Sequence, residues 1–130
     1  MICLDSSVLV EYLEGNESVK AALEEYADRP LFTPTVVCFE LYRGATRAGG
    51  QEALERVQTG LDWIKPLEFT ERTAQEAALI DAELHRAGRP INLGDVLIAA
   101  VCRSAGATLL TCDRDFERVD GLEVEYVSVE

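Results

Sequence analysis

Short apolar runs alternate with longer stretches of helical period along this whole chain, and that alternation limits the fold more than any other feature. The first unit sets the pattern. Ile2-Cys3-Leu4 stops at Asp5, two serines follow, and Val8, Leu9, Tyr12 and Leu13 then recur at helical spacing. This predicts a short buried strand, a tight turn and a helix capped by Ser6 or Ser7, with Asp5 as the alternative cap. Asn16 is placed to cap a helix over 17–27, and Leu31-Phe32 reads as a second strand. Thr33-Pro34 fits a cap and first turn for a helix over 35–47, and Gly49-Gly50 separates it from a helix over 51–61. The stretch 63–69 holds a third strand, which Pro66 makes short or places at an edge. Helices over 71–87, opened by Thr70, and over 93–105, opened by Asn92 and ended by Gly106, precede a fourth strand at 108–110 and a fifth at 124–127. Strands separated by helices predict an α/β fold in which a parallel sheet carries helices on both faces.

A length of 130 residues suits one domain, residues 1–130, around one core, and 48% apolar residues suffice to build it. No apolar run approaches the roughly 18 residues of a membrane span, and the start lacks a basic, cleavable leader, so a cytoplasmic protein is expected. The acids number 24 against 12 bases, a net charge of −12, and only Lys20 and Lys65 are lysines. Such a chain repels nucleic acid at long range. That objection weakens in a salty cell, where at about 1 M salt the Debye length is about 3 Å, and the composition resembles a halophile's. Cys3, Cys38, Cys102 and Cys112 lack the close spacing of a zinc site and read as reduced core thiols, and His85 sits on a charged helix as a surface residue.

Four acids stand where an acid is out of place. Asp5 ends the first strand, and Asp113 follows the fourth in Leu110-Thr111-Cys112-Asp113. Glu40 lies within Val36-Val37-Cys38-Phe39-Glu40-Leu41-Tyr42, a markedly apolar segment, and Asp95 opens an otherwise greasy helix. Ligands of open α/β sheets bind beyond the carboxyl ends of the strands, where Asp5 and Asp113 belong if their strands are neighbours. Each acid also has a plain alternative as a cap or surface residue. Together, however, they crowd: two charges about 4 Å apart repel by about 4 kcal/mol at an effective dielectric near 20. Protonation or a divalent cation must relieve that repulsion, and an all-carboxylate set with no histidine or thiolate points to Mg²⁺ or Mn²⁺.

Asp5 in CLDSSVLVEYL, Glu40 in VVCFELYRGA, Asp95 in INLGDVLIAA and Asp113 in LLTCDRDF resemble, in order and spacing, the four acidic motifs of PIN-domain ribonucleases, and in particular the small VapC-type toxins of toxin–antitoxin pairs. The resemblance covers nearly the whole chain. It implies a three-layer α/β/α domain with a parallel sheet of about five strands in the order 3-2-1-4-5. It also implies an Mg²⁺- or Mn²⁺-dependent endoribonuclease, usually a homodimer, silenced by a cognate antitoxin protein. Carried over residue by residue, it makes Asp5, Glu40, Asp95 and Asp113 the catalytic and metal-binding acids, with Ser6 and Thr111 in support. Asp115 competes with Asp113 for the last position.

Glu40, Arg43 and Arg47 share one helix face, so Arg43 and Arg47 are candidate grips for an RNA phosphate, an ordinary surface pair being the alternative. An apolar groove between the helices over 17–27 and 51–61 is a candidate seat for the antitoxin. Two other functions stay in view. One is a PIN-type module that binds RNA or protein without cutting. The other is a metal-dependent phosphatase or phosphoacceptor, disfavoured because position 7 is Ser7 and neither lysine follows the last strand.

Overall fold

The computed structural model describes residues 1–129. Five parallel strands form one sheet in the order β3-β2-β1-β4-β5: β1 is Ile2–Leu4, β2 Leu31–Pro34, β3 Lys65–Leu67, β4 Thr108–Thr111 and β5 Glu123–Tyr126. Between them run α1 (Ser6–Leu13), α2 (Glu17–Glu24), α3 (Thr35–Gly60), α4 (Glu71–Arg86), α5 (Leu93–Ala105) and a 3₁₀ turn, Arg114–Arg118. The expected order 3-2-1-4-5 is the observed one. Right-handed crossovers from β1 to β2 and β3 place α1–α3 on one face of the sheet, and the return from β3 to β4 places α4 and α5 on the other. α1 accordingly packs on α2 and α3, and α4 on α5.

The central strand is β1, paired with β2 at Ile2↔Leu31 and with β4 at Ile2↔Thr108. Its three residues are buried, as expected for a strand covered on both faces. Around it pack Val8, Leu9, Val37, Ile80, Ile98, Leu109, Leu110 and Phe116. The edge strands β3 and β5 are half exposed, and Pro66 lies in β3, which pairs on one side only. Among the described residues no helix is long and apolar enough to cross a membrane.

Several local expectations need correction. The cap of α1 is Asp5 itself, extended at φ −94° and ψ 177°, with its carboxylate accepting from the Val8 amide; Ser6 and Ser7 are the first helical residues. Thr33 does not cap α3. It is the third residue of β2, and its hydroxyl donates to the Leu4 carbonyl at 2.8 Å, which leaves Pro34 as a cap without a side-chain bond. The helix after Asn16 ends at Glu24 and passes into turns, short of residue 27. Asn92 precedes α5 but makes no capping bond, whereas Thr70 and Thr73 close a capping box on α4. On α5 the buried set is Val96, Ile98, Ala99, Ala100, Val101 and Cys102, with Ala105 exposed. The Gly49-Gly50 break appears as a kink inside α3, where Gly50 sits at φ 64° and ψ −151°. All four cysteines are free; Cys3 and Cys102 are buried and Cys38 and Cys112 half-buried. His85 is exposed beside Asp81.

Candidate active site

The strand order reverses between β1 and β4, and both end at the same rim of the sheet. Such a switch point opens a crevice beyond the strand ends. Asp5 enters it from β1. It is 3% exposed. One carboxylate oxygen, Oδ1, accepts from the Ser7 hydroxyl at 2.7 Å and the Val8 amide at 3.2 Å; the other, Oδ2, accepts from the Thr111 hydroxyl at 2.6 Å. Thr111 is fully buried at the end of β4, and its oxygen in turn accepts from the Asp113 amide at 3.0 Å. A single hydroxyl therefore ties the first acid to the backbone of the fourth. Ser7 makes a second tie, accepting from the Cys112 amide at 3.0 Å.

Asp113 opens the 3₁₀ turn and accepts from the Asp115 amide at 2.9 Å. That turn folds Asp115 back beside it. Asp95, in the first turn of α5, completes a group of three carboxylates that each offer one oxygen within 4.8 Å of the other two. Asp113 and Asp115 both converge on Asp95. Asp115 also meets Arg118 at 3.5 Å, and Arg118 donates to the Pro90 carbonyl at 3.0 Å, bracing the loop that leads into α5.

Glu40 reaches the cluster from α3. Its Oε1 is buried without a hydrogen-bond partner, and a Cβ at Gly94 would stand 3.3 Å from Oε2. Gly94 therefore leaves room for the Glu40 carboxylate against the start of α5. The Ser6 hydroxyl serves Glu40 rather than Asp5, and lowers its pKa. The hydroxyl on Asp5 is Ser7, overlooked in the sequence reading although an Asp with a Ser two residues on is a familiar local hydrogen-bonding pattern at helix starts.

The electrostatics express the crowding. Burial pushes Asp95 from its ordinary 3.8 up to about 6, and Asp113, Asp5, Glu40 and Asp115 add to the shift. Burial also raises Asp5, against the lowering effect of its three hydrogen bonds, and Asp113 raises it further. Glu40 is raised by burial and by Asp5, with Ser6 and Arg43 opposing. Asp95 feels all four of the other carboxylates, Asp5 feels Asp113 and Glu40 feels Asp5, as neighbours in one pocket must. Five carboxylates from distant parts of the chain, offering oxygen donors alone and leaving one buried Oε1 unpaired, fit a hard divalent cation. Arg43 is exposed and lies over the Phe39 ring, 5.3 Å from its centroid. Arg47 is exposed one turn further on.

Beside this site an apolar groove runs between α1 and α3, lined by Val10, Leu13, Leu41, Ala45 and Val57 and by Glu40, with a volume of about 260 Å³.

A parallel α/β sheet with a carboxylate cluster at its switch point defines a class, and comparison with known proteins agrees with it. The chain belongs to the PIN domain family, which matches residues 2–122. Within that family it is similar to VapC endonucleases. It is 36% identical over 93 residues to the tRNA(fMet)-specific endonuclease VapC of Shigella flexneri, covering 70% of each chain. It is 30% identical, again over 70% of each chain, to the enzyme of the same name from Salmonella typhimurium. Among solved structures, VapBC2 of Rickettsia felis bound to a DNA fragment from its promoter superposes with a TM-score of 0.90 at 22% identity, over 98% of this chain and 100% of the other. DNA-bound VapBC of Salmonella typhimurium gives 0.87 at 25% identity, over 96% of each chain.

Proposed function

We propose that the chain is the toxin of a toxin–antitoxin pair and an endoribonuclease that hydrolyses RNA phosphodiester bonds with Mg²⁺ or Mn²⁺. The observation that carries this is the meeting of Asp5, Glu40, Asp95, Asp113 and Asp115 at one rim of the sheet, three of them within 4.8 Å. Asp95, Asp113 and Asp115 would hold the cation, with Asp5 and Glu40 beside it. When bound there, it supplies a Lewis acid for the phosphate and lowers the pKa of a water. Asp5 is held in one orientation by Thr111, Ser7 and Val8, so the site needs little rearrangement to receive its ligands. Glu40 keeps Oε1 free of partners, and its raised pKa suits it to accept a proton from the attacking water. The water oxygen makes the new bond to phosphorus as the ester bond opposite it breaks, and the leaving ribose oxygen takes up a proton from solvent. Arg43, close enough to Glu40 to lower its pKa, would pair with a phosphate oxygen of the substrate.

The relatives' specificity makes initiator tRNA the first substrate to test. The partner is an antitoxin, in keeping with the toxin–antitoxin complexes among the structural neighbours, and the apolar groove between α1 and α3 is its proposed seat. The working unit is a homodimer in the cytoplasm. The test is cleavage of initiator tRNA and of total RNA with Mn²⁺, with Mg²⁺ and with chelator, by wild type and Asp5→Asn. Cleavage should require the cation and fall at least a hundredfold in the variant, the scale on which removing a central charge-stabilising group acts. Equal cutting by both proteins, or cutting in chelator, would refute it.

A further inference from the structure

The mechanism leaves one feature of this rim unused. Arg114 directly follows Asp113, and its guanidinium carbon lies 4.0 Å from the centroid of the Tyr126 ring. Tyr126 ends β5 in register with Thr111, so the ring stands at the same rim as the carboxylates. We propose that Arg114, carried on Tyr126, grips a phosphate of the substrate strand on the side of the carboxylates opposite Arg43. This rests on the RNA-cleaving reading above.

The other arginine of the same turn is committed elsewhere: Arg118 is spent on Pro90 and Asp115. Arg114 is 70% exposed, and its one ion pair among the described residues, with Glu117 at 3.0 Å, is also exposed. Exposed pairs of this kind are weak, so a phosphate displaces Glu117 at small cost. The ring removes part of the disorder that a long side chain must otherwise lose on binding, and it attracts the cation through its face. Tyr126 acts through that ring, because its hydroxyl is buried without a hydrogen-bond partner. It is a positioning residue, and Arg114 is the binding one.

The arrangement repeats on the other side of β1, where Arg43 lies over Phe39 on α3. Since α3 follows β2 and the 3₁₀ turn follows β4, the two arginine–aromatic pairs bracket the carboxylates along the rim. A single strand crossing from the β2 side to the β5 side would put one phosphate on each arginine and a third among the acids. On a chain of net charge −12, two fixed cations beside the cluster also offset the repulsion that RNA meets there.

The test is steady-state cleavage of a fluorogenic single-stranded RNA across a KCl series. The proteins are wild type, Arg114→Ala, Arg114→Lys, Tyr126→Phe and Tyr126→Leu, with folding checked by circular dichroism. Arg114→Ala should raise KM about three- to tenfold with kcat within about twofold, and should flatten the salt slope of log kcat/KM by about 0.7, the value for one single-strand phosphate contact. Arg114→Lys should keep the slope, Tyr126→Phe should match wild type, and Tyr126→Leu should raise KM at least about threefold. An Arg114→Ala enzyme with wild-type KM and slope would overturn the grip. A Tyr126→Phe enzyme as impaired as Tyr126→Leu would overturn the ring's role. A wild type that cuts no RNA, in contrast to either result, overturns the RNA-cleaving reading and this inference with it.

Discussion

Thr111 shows how much of the site depends on one side chain. Its hydroxyl donates to Asp5 and accepts from the Asp113 amide, with no exposure to solvent. Thr111→Val keeps the shape and strands both partners, so it should cost about 1–3 kcal/mol in urea unfolding, while Thr111→Ser should recover most of the loss. Asp95 yields a prediction in pH. Its pKa is 3.8 ordinarily and about 6 in the fold, so between those values the unfolded chain has lost a proton that the folded chain keeps. Stability of the metal-free protein from this group is therefore highest below 3.8 and declines as pH rises to about 6. Asp95→Asn should melt higher than wild type in chelator at about pH 7.5, and thermal scans should show the gap closing toward about pH 4. Asp5, Glu40, Asp95 and Asp113 were legible because an acid after a buried strand, or inside an apolar helix, contradicts its surroundings. Gly94, Arg114 and Tyr126 were not legible. Their part depends on where a turn or a paired strand aims them, and local pattern does not encode that direction.

The same division holds among the elements. Strand and helix order could be read from period and punctuation, and the pairing order of the sheet came from the resemblance. The caps were read less well because capping is decided by competition. Thr33 had a stronger claim on it from Leu4, whose carbonyl lies past the end of the β1–β2 ladder. α3 carries the clearest element-level consequence. Gly50, at φ 64° and ψ −151°, is in a region essentially closed to other residues. Gly50→Ala should cost about 1–3 kcal/mol in urea unfolding. Because the kink falls between Glu40 and the second half of the helix, this variant should keep its affinity for Mn²⁺, measured by calorimetry. Gly94→Ala should do the reverse. Its new Cβ, 3.3 Å from Glu40 Oε2, should weaken Mn²⁺ binding with little change in stability.

Taken whole, the molecule is a strongly charged shell around a sheet whose inner end concentrates the same sign of charge. Raising KCl to about 1 M shortens the Debye length to about 3 Å, so the melting temperature should rise steadily with salt. A flat profile would remove the halophilic reading. The sheet also orders events in time. β1, made first, finds its partner β4 only at Thr108–Thr111, more than a hundred residues later, and the Thr111–Asp5 bond waits for the same step. A ribosome in mid-synthesis therefore carries a chain whose carboxylates have not yet met. On the function proposed above, the nuclease centre forms only after the fourth strand has left the exit tunnel, and a partner made alongside it gains that interval to arrive.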